Sequence, residues 1–320
     1  MLNEKGYSQQ MEQNVLPFLA LRKQTGIFEC EPGKAIYYEH YHADHARGSV
    51  VLIHGFSEVT DKFSETIWDF LNRGYHVWAM DQREHGRSFR TLQDPSLIHI
   101  ENSARLVSDL HMFVKPVVRK HPDGRDGERI LFGHSMGGGV SACYLEKYPE
   151  EFDRAILSSP MLEMKTGIPI WAAEGFAKAM TAFRRDKSPM PGSSPFQDTP
   201  DFEGSCTGCK ARYDWWFEVM RKYPEYQMCV PTIRTAQELL RLTRYAGEEK
   251  RIRNVRAKVL MFQAGKDTMV GENGQNHWME ILGGQGKLVL LENAKHEIYR
   301  ESDEILEAYW KEIDAFLNGG

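Results

Sequence analysis

Short apolar runs recur along the chain, separated by longer segments in which apolar residues return every three or four positions. Ser49-Val-Val-Leu-Ile53, His76-Val-Trp-Ala-Met80, Arg129-Ile-Leu-Phe132, Ala155-Ile-Leu157, Ala257 to Phe262 and residues 287–291 are such runs. Continuous apolar character over four to six residues predicts strands buried on both faces. Between them, residues 61–72 place Phe63, Ile67, Phe70 and Leu71 at helical spacing, and Arg73-Gly74 ends the helix. Residues 101–120 place Leu106, Leu110, Phe113 and Val117 on one face, with a kink expected at Pro116. Further helices are predicted over 136–148, 274–282 and 301–317. Gly26–Cys30 and Ala35–Glu39 flank Glu-Pro-Gly-Lys and predict a hairpin turning at Pro32-Gly33.

This rhythm breaks between Met161 and Asn254, where strand signals are sparse and Pro, Gly, Trp and Met are frequent. The expected organisation is an α/β core in two parts, 1–160 and 255–320, with a cap inserted over 161–254. The core would be a mostly parallel sheet covered by helices. At 320 residues the chain is long enough to bury a large core.

Composition excludes more than it assigns. A net charge of −5 gives no basis for general binding to nucleic acid. The N-terminus has no long apolar run, so no signal peptide is expected, and no segment offers the ~18 apolar residues of a membrane helix. Five cysteines, without an export signal, point to reduced thiols and a cytoplasmic location. One Cys-x-x-Cys, Cys206–Cys209, has no second pair to make a zinc site. Neither a metal nor a cofactor is expected.

The chemistry concentrates at Gly133-His134-Ser135-Met136-Gly137, between a strand and a helix. Gly-x-Ser-x-Gly in that setting is a nucleophile elbow: the glycines permit a tight turn, and the helix adds its positive N-terminal end beside the serine oxygen. The plain alternative is a structural strand–helix turn. A nucleophilic Ser135 needs a base and an orienter. His296 follows the last strand and Asp267 follows the strand before it, both at C-terminal ends, where sites collect in open α/β sheets. The order Ser135, Asp267, His296 suits a triad in which His296 moves the proton and Asp267 holds the imidazole. Glu163 is an alternative acid. The backbone amides of Met136 and Phe56 are the candidate oxyanion donors.

Val50-Val-Leu-Ile-His-Gly-Phe56, Asp81-Gln-Arg-Glu-His-Gly-Arg-Ser88, Gly133–Gly138, Ser159-Pro160 and Asn293-Ala-Lys-His-Glu297 together resemble the α/β-hydrolase fold. Within it the chain is similar to bacterial lysophospholipases and monoacylglycerol lipases, a group often placed with serine aminopeptidases. The likeness covers about 26–160 and 255–317, and extends to the cap only loosely. It implies a cofactor-free serine hydrolase cleaving carboxylic esters of a small lipid-like substrate. Two positions depart from the pattern. Glu84 stands where the family usually has Gly, and Phe56-Ser57-Glu58 replaces a glycine-bearing loop.

The cap carries Ile168, Ile170, Trp171, Phe176, Met180 and Phe183, then Tyr213, Trp215, Trp216, Phe217 and Met220. These suit an acyl chain, and equally suit packing of the cap on the core. The basic run Arg241–Arg253 has two readings: transient contact with an anionic membrane surface, or a solvated helix face. Three other functions stay open on the same fold. The first is a peptidase releasing N-terminal residues, with Glu163 and Glu174 to hold an ammonium. The second is a non-hydrolytic binding protein, and the third is a lyase using the same triad.

Overall fold

The computed structural model describes residues 1–319, apart from the side chain of Ile170. Eight strands form one sheet: β1 Lys23–Glu31, β2 Lys34–Tyr41, β3 Gly48–Ile53, β4 Tyr75–Met80, β5 Glu128–His134, β6 Arg154–Ser158, β7 Lys258–Ala264 and β8 Gly286–Leu291. Their order is β1-β2-β4-β3-β5-β6-β7-β8. The hairpin partner β2 alone runs against the rest; β4 through β8 pair in parallel. Every residue of β3 and β4 is buried, as their unbroken apolar runs require. The crossovers are helices, including Ser64–Asn72, Ala104–Phe113, Met136–Lys147, Glu272–Leu282 and Asp303–Leu317. The fold is that of an α/β-hydrolase.

Most expected elements appear within a few residues of their predicted bounds. Pro116 lies in a π-helical turn, Val114–Val118, that continues Ala104–Phe113, so the missing amide is absorbed by a wider turn. A helical segment over residues 7–20, whose Tyr7, Met11, Val15 and Leu19 are buried, is an addition to the predicted elements.

Residues 161–254 hold the helices Ile170–Ala182, Lys210–Lys222, Ile233–Ala246 and Glu249–Ile252. The two apolar clusters there behave differently. Trp215, Trp216 and Phe217 are buried, and Trp215 meets the Tyr7 ring edge-on, so this cluster is packing. Ile168, Trp171, Phe176 and Phe183 face solvent. The basic run is largely ion-paired: Arg244 with Glu174, Arg251 with Glu146 and Arg253 with Glu249.

Arg212 fastens the Lys210–Lys222 helix to the rest of the chain. It is fully buried, and its guanidinium donates to both Glu65 oxygens (2.9 and 2.8 Å), to Asp303 (3.0 Å) and to the Glu301 and Leu2 carbonyls. A planar fork with five donors can satisfy such a set; an ammonium or an apolar chain cannot. Removing it leaves the Glu65 carboxylate buried without its partner. We expect Arg212→Met to lower stability by about 3–5 kcal/mol, read as a fall in the urea midpoint. An unchanged midpoint would show that the tie contributes nothing.

Candidate active site

Ser135 sits between β5 and the helix Met136–Lys147, with φ 53° and ψ −120°. A non-glycine residue in this conformation is strained, and neighbouring glycines make it attainable. A Cβ on Gly137 would lie 2.3 Å from the Ile53 carbonyl oxygen, and one on Gly133 would lie 2.8 Å from the Gly137 carbonyl oxygen. The backbone therefore passes closer to itself than any side chain allows. Met161 N–H donates to the Ser135 carbonyl (2.8 Å) and Ser135 N–H to the Ser158 carbonyl (3.1 Å), so β6 and the segment after it brace the turn.

Ser135 Oγ lies 2.8 Å from His296 Nε2, and His296 Nδ1 lies 2.7 Å from Asp267 Oδ2. A carboxylate only accepts, so Nδ1 carries the proton and Nε2 is free to accept from the serine hydroxyl. The other Asp267 oxygen accepts from the amides of Met269 (2.8 Å) and Val270 (3.0 Å). Burial works to raise the Asp267 pKa. The hydrogen bond and charge of His296 and the two amides outweigh it and hold the carboxyl below its ordinary value. Of the three, His296 is buried and Ser135 is partly open. The sequence thus named three residues that the fold brings into one bonded chain. Glu163, the alternative acid, is occupied elsewhere, accepting from Gly274 N–H at 3.1 Å.

The loop after β3 is held from two sides. His54 Nε2 accepts from Gln82 N–H (2.9 Å), which puts the proton on Nδ1, and Nδ1 donates to the Gly55 carbonyl (2.7 Å). Gly55 N–H donates to Glu58 Oε2 (2.7 Å). Because a peptide unit is planar, fixing the Gly55 carbonyl fixes the direction of the Phe56 N–H. Neither the Phe56 nor the Met136 amide has a hydrogen-bond partner among the described residues. Gly55 packs against the Ser135 Cβ: a Cβ there would lie 3.0 Å from it. Gly55, which precedes Phe56, and Met136, which follows Ser135, thus both border the serine.

Glu58 is the residue that sequence reasoning passed over. Besides Gly55, its buried carboxylate takes Tyr299 OH (2.7 Å) and Lys62 Nζ (2.9 Å). Burial favours its neutral form, but the Lys62 ammonium and these hydrogen bonds prevail and keep it ionised. The signal was present as the departure from the glycine-bearing loop; what it could not convey was that the Glu58 carboxylate, accepting from the Gly55 amide, shapes that loop. Glu84, the other departure, keeps the conformation a glycine would take, with φ 67°, and accepts from Thr91 N–H at 3.0 Å. That left-handed conformation costs a non-glycine residue about 1 kcal/mol of backbone strain. His134, next to the nucleophile, is driven to a pKa of about 4 by burial. It stays neutral and adds no charge beside His296.

The model of the family described as serine aminopeptidase S33 matches residues 44–303. The chain belongs to this family. It is 27% identical over 272 residues to the probable lysophospholipase L2 of Haemophilus influenzae, covering 85% of this chain and 84% of that one. It is 26% identical over 296 residues to lysophospholipase L2 of Escherichia coli, covering 88% and 84%. A solved structure of a soluble variant of monoglyceride lipase from Saccharomyces cerevisiae, in complex with a substrate analog, superposes with a TM-score of 0.73 at 20% identity, covering 92% of this chain and 94% of the other. That structural likeness speaks to the fold. Among the described residues no helix is long and apolar enough to cross a membrane.

Proposed function

We propose that the chain is a serine hydrolase of lipid-like carboxylic esters, of the lysophospholipid or monoacylglycerol kind. The observation that carries this is the continuous contact from Ser135 Oγ through His296 to Asp267. Ser135 Oγ attacks the ester carbonyl carbon while its proton passes to His296 Nε2. The carbonyl oxygen becomes an oxyanion facing the Phe56 and Met136 amides. Collapse breaks the bond to the alcohol, which leaves with the proton from His296 and gives an acyl-Ser135. Water then gives a proton to His296 and attacks the acyl carbon; the fatty acid departs and Ser135 regains its proton.

The lipid-like substrate is supported by the names of the relatives and by residues 161–254, which we read as a cap. Its solvent-facing Ile168, Trp171, Phe176 and Phe183 stand near the exposed Lys178, Arg184 and Arg185. Exposed apolar side chains interspersed in the chain with exposed cations suit transient contact with an anionic lipid surface. Five free thiols agree with a cytoplasmic setting. The peptidase reading finds no support in the cap: Glu163 is tied to Gly274, and Glu174 to Arg244.

The test pairs labelling with a substrate panel. A fluorophosphonate should add once, on the peptide holding Ser135. Across monoacyl esters from two to ten carbons, kcat/KM should rise about fourfold for each methylene that becomes buried. A flat series, or faster cleavage of aminoacyl amides, would overturn the lipid ester assignment.

A further inference from the structure

Four histidines and one aspartate meet at the end of the sheet opposite Ser135. His40 and His42 lie at the end of β2, His76 at the start of β4, and His121 and Asp123 on the turn that precedes β5. A single oxygen, Asp123 Oδ2, lies 3.1 Å from His40 Nε2, 2.8 Å from His42 Nδ1 and 3.5 Å from His76 Nδ1. Only the contact with His42 has the alignment of a hydrogen bond. His40 is 2% exposed, yet both its ring nitrogens lack a hydrogen-bond partner. Its ring lies flat on Trp78, with centroids 3.8 Å apart, which fixes its plane. A buried imidazole held rigidly, with a nitrogen beside a carboxylate but not bonded to it, is an expensive arrangement unless something else receives the lone pair.

We propose that His40, His76 and Asp123 bind a divalent transition-metal ion of the Zn2+ class, with His42 as a fourth ligand. The ligand atoms of the first three lie within 4.8 Å of one another. Two ligands of a tetrahedral zinc ion stand about 3.4 Å apart, and the 3.1 and 3.5 Å separations from Asp123 bracket that value. The His40–His76 edge, within 4.8 Å, closes by side-chain movement, and the exposed His42 turns in from its hydrogen bond to Asp123. His76 Nδ1 accepts from Ala43 N–H at 3.1 Å, and the ion takes over that lone pair. Imidazole and carboxylate together suit zinc and its neighbours better than calcium or magnesium. The ion clips β2, which runs against the other strands of the sheet among the described residues, to β4 and to the turn before β5. Its role is structural, since the triad lies at the other end of the parallel strands.

Tag-free full-length protein, stripped with chelator and dialysed, is titrated with ZnCl2 and the bound metal quantified. One equivalent should bind at micromolar free Zn2+ or below, with a rise in Tm and no change in ester hydrolysis. Asp123→Asn and His76→Gln should each weaken binding at least tenfold. Circular dichroism and an unchanged ester rate certify their folding, and the exposed His42→Gln replaces any variant that fails. Co2+ in place of zinc should give tetrahedral d–d bands without thiolate charge transfer, which separates this site from Cys206 and Cys209. Absence of stoichiometric binding, binding indifferent to these substitutions, or a thiolate signature would overturn the assignment.

Discussion

Ser135→Ala should reduce kcat for ester hydrolysis by on the order of 10⁶ while leaving the fold intact. In the proposed mechanism this hydroxyl attacks: its oxygen is 2.8 Å from His296 Nε2, and the Met136 amide that follows it in the chain has no partner among the described residues. Alanine keeps the Cβ, so the strained φ of 53° is no worse satisfied than before. Gly137 and Gly133 still permit the close approach. The lost interaction is one hydrogen bond at a partly open position, worth about 1 kcal/mol or less to stability. The variant should therefore unfold within a few degrees of the wild type and still bind ester, with no fluorophosphonate adduct. Retained turnover in Ser135→Ala would remove Ser135 from the mechanism and return the Gly-x-Ser-x-Gly turn to a structural role.

What the chain disclosed in advance follows from how local each feature is. The strands of the core were legible because parallel strands buried on both faces leave unbroken apolar runs. The positions of Ser135, Asp267 and His296 were legible because each follows a strand at its C-terminal end, a position set by topology. The helical segment over residues 7–20 was not, because its buried Tyr7 and Met11 sit among glutamines and its packing partner, Trp215, is some two hundred residues away. Glu58 escaped for a related reason. A carboxylate in a loop is ordinarily solvated; only the fold brings Lys62, Tyr299 and the Gly55 amide around it. The histidines around Asp123 are likewise spread over more than eighty residues, with no spacing that marks a metal site.

Asp267→Asn should lower kcat by about 10⁴ with little change in KM, and the reason lies in the two sides of the carboxylate. Oδ1 accepts from the amides of Met269 and Val270, and donors cannot face donors. An asparagine must keep its carbonyl oxygen there, which turns its NH2 toward His296 Nδ1. That nitrogen then has to accept, so the ring proton moves to Nε2 and points at Ser135 Oγ. The imidazole is held in place but in the tautomer that cannot take the serine proton. Nitrogen-15 shifts of His296 should report this exchange of tautomers in a folded protein. Stability should follow a matching pattern. The Asp267 carboxyl is held below its ordinary value, so its ionised form stabilises the fold above the unfolded-state pKa of about 3.9. That contribution is lost as pH falls through the lower folded value. The wild type should be the more stable at neutral pH, and the two proteins should converge only in acid. An unchanged rate in Asp267→Asn would mean that another group orients His296, and Glu163, tied to Gly274, would first have to be released to do so.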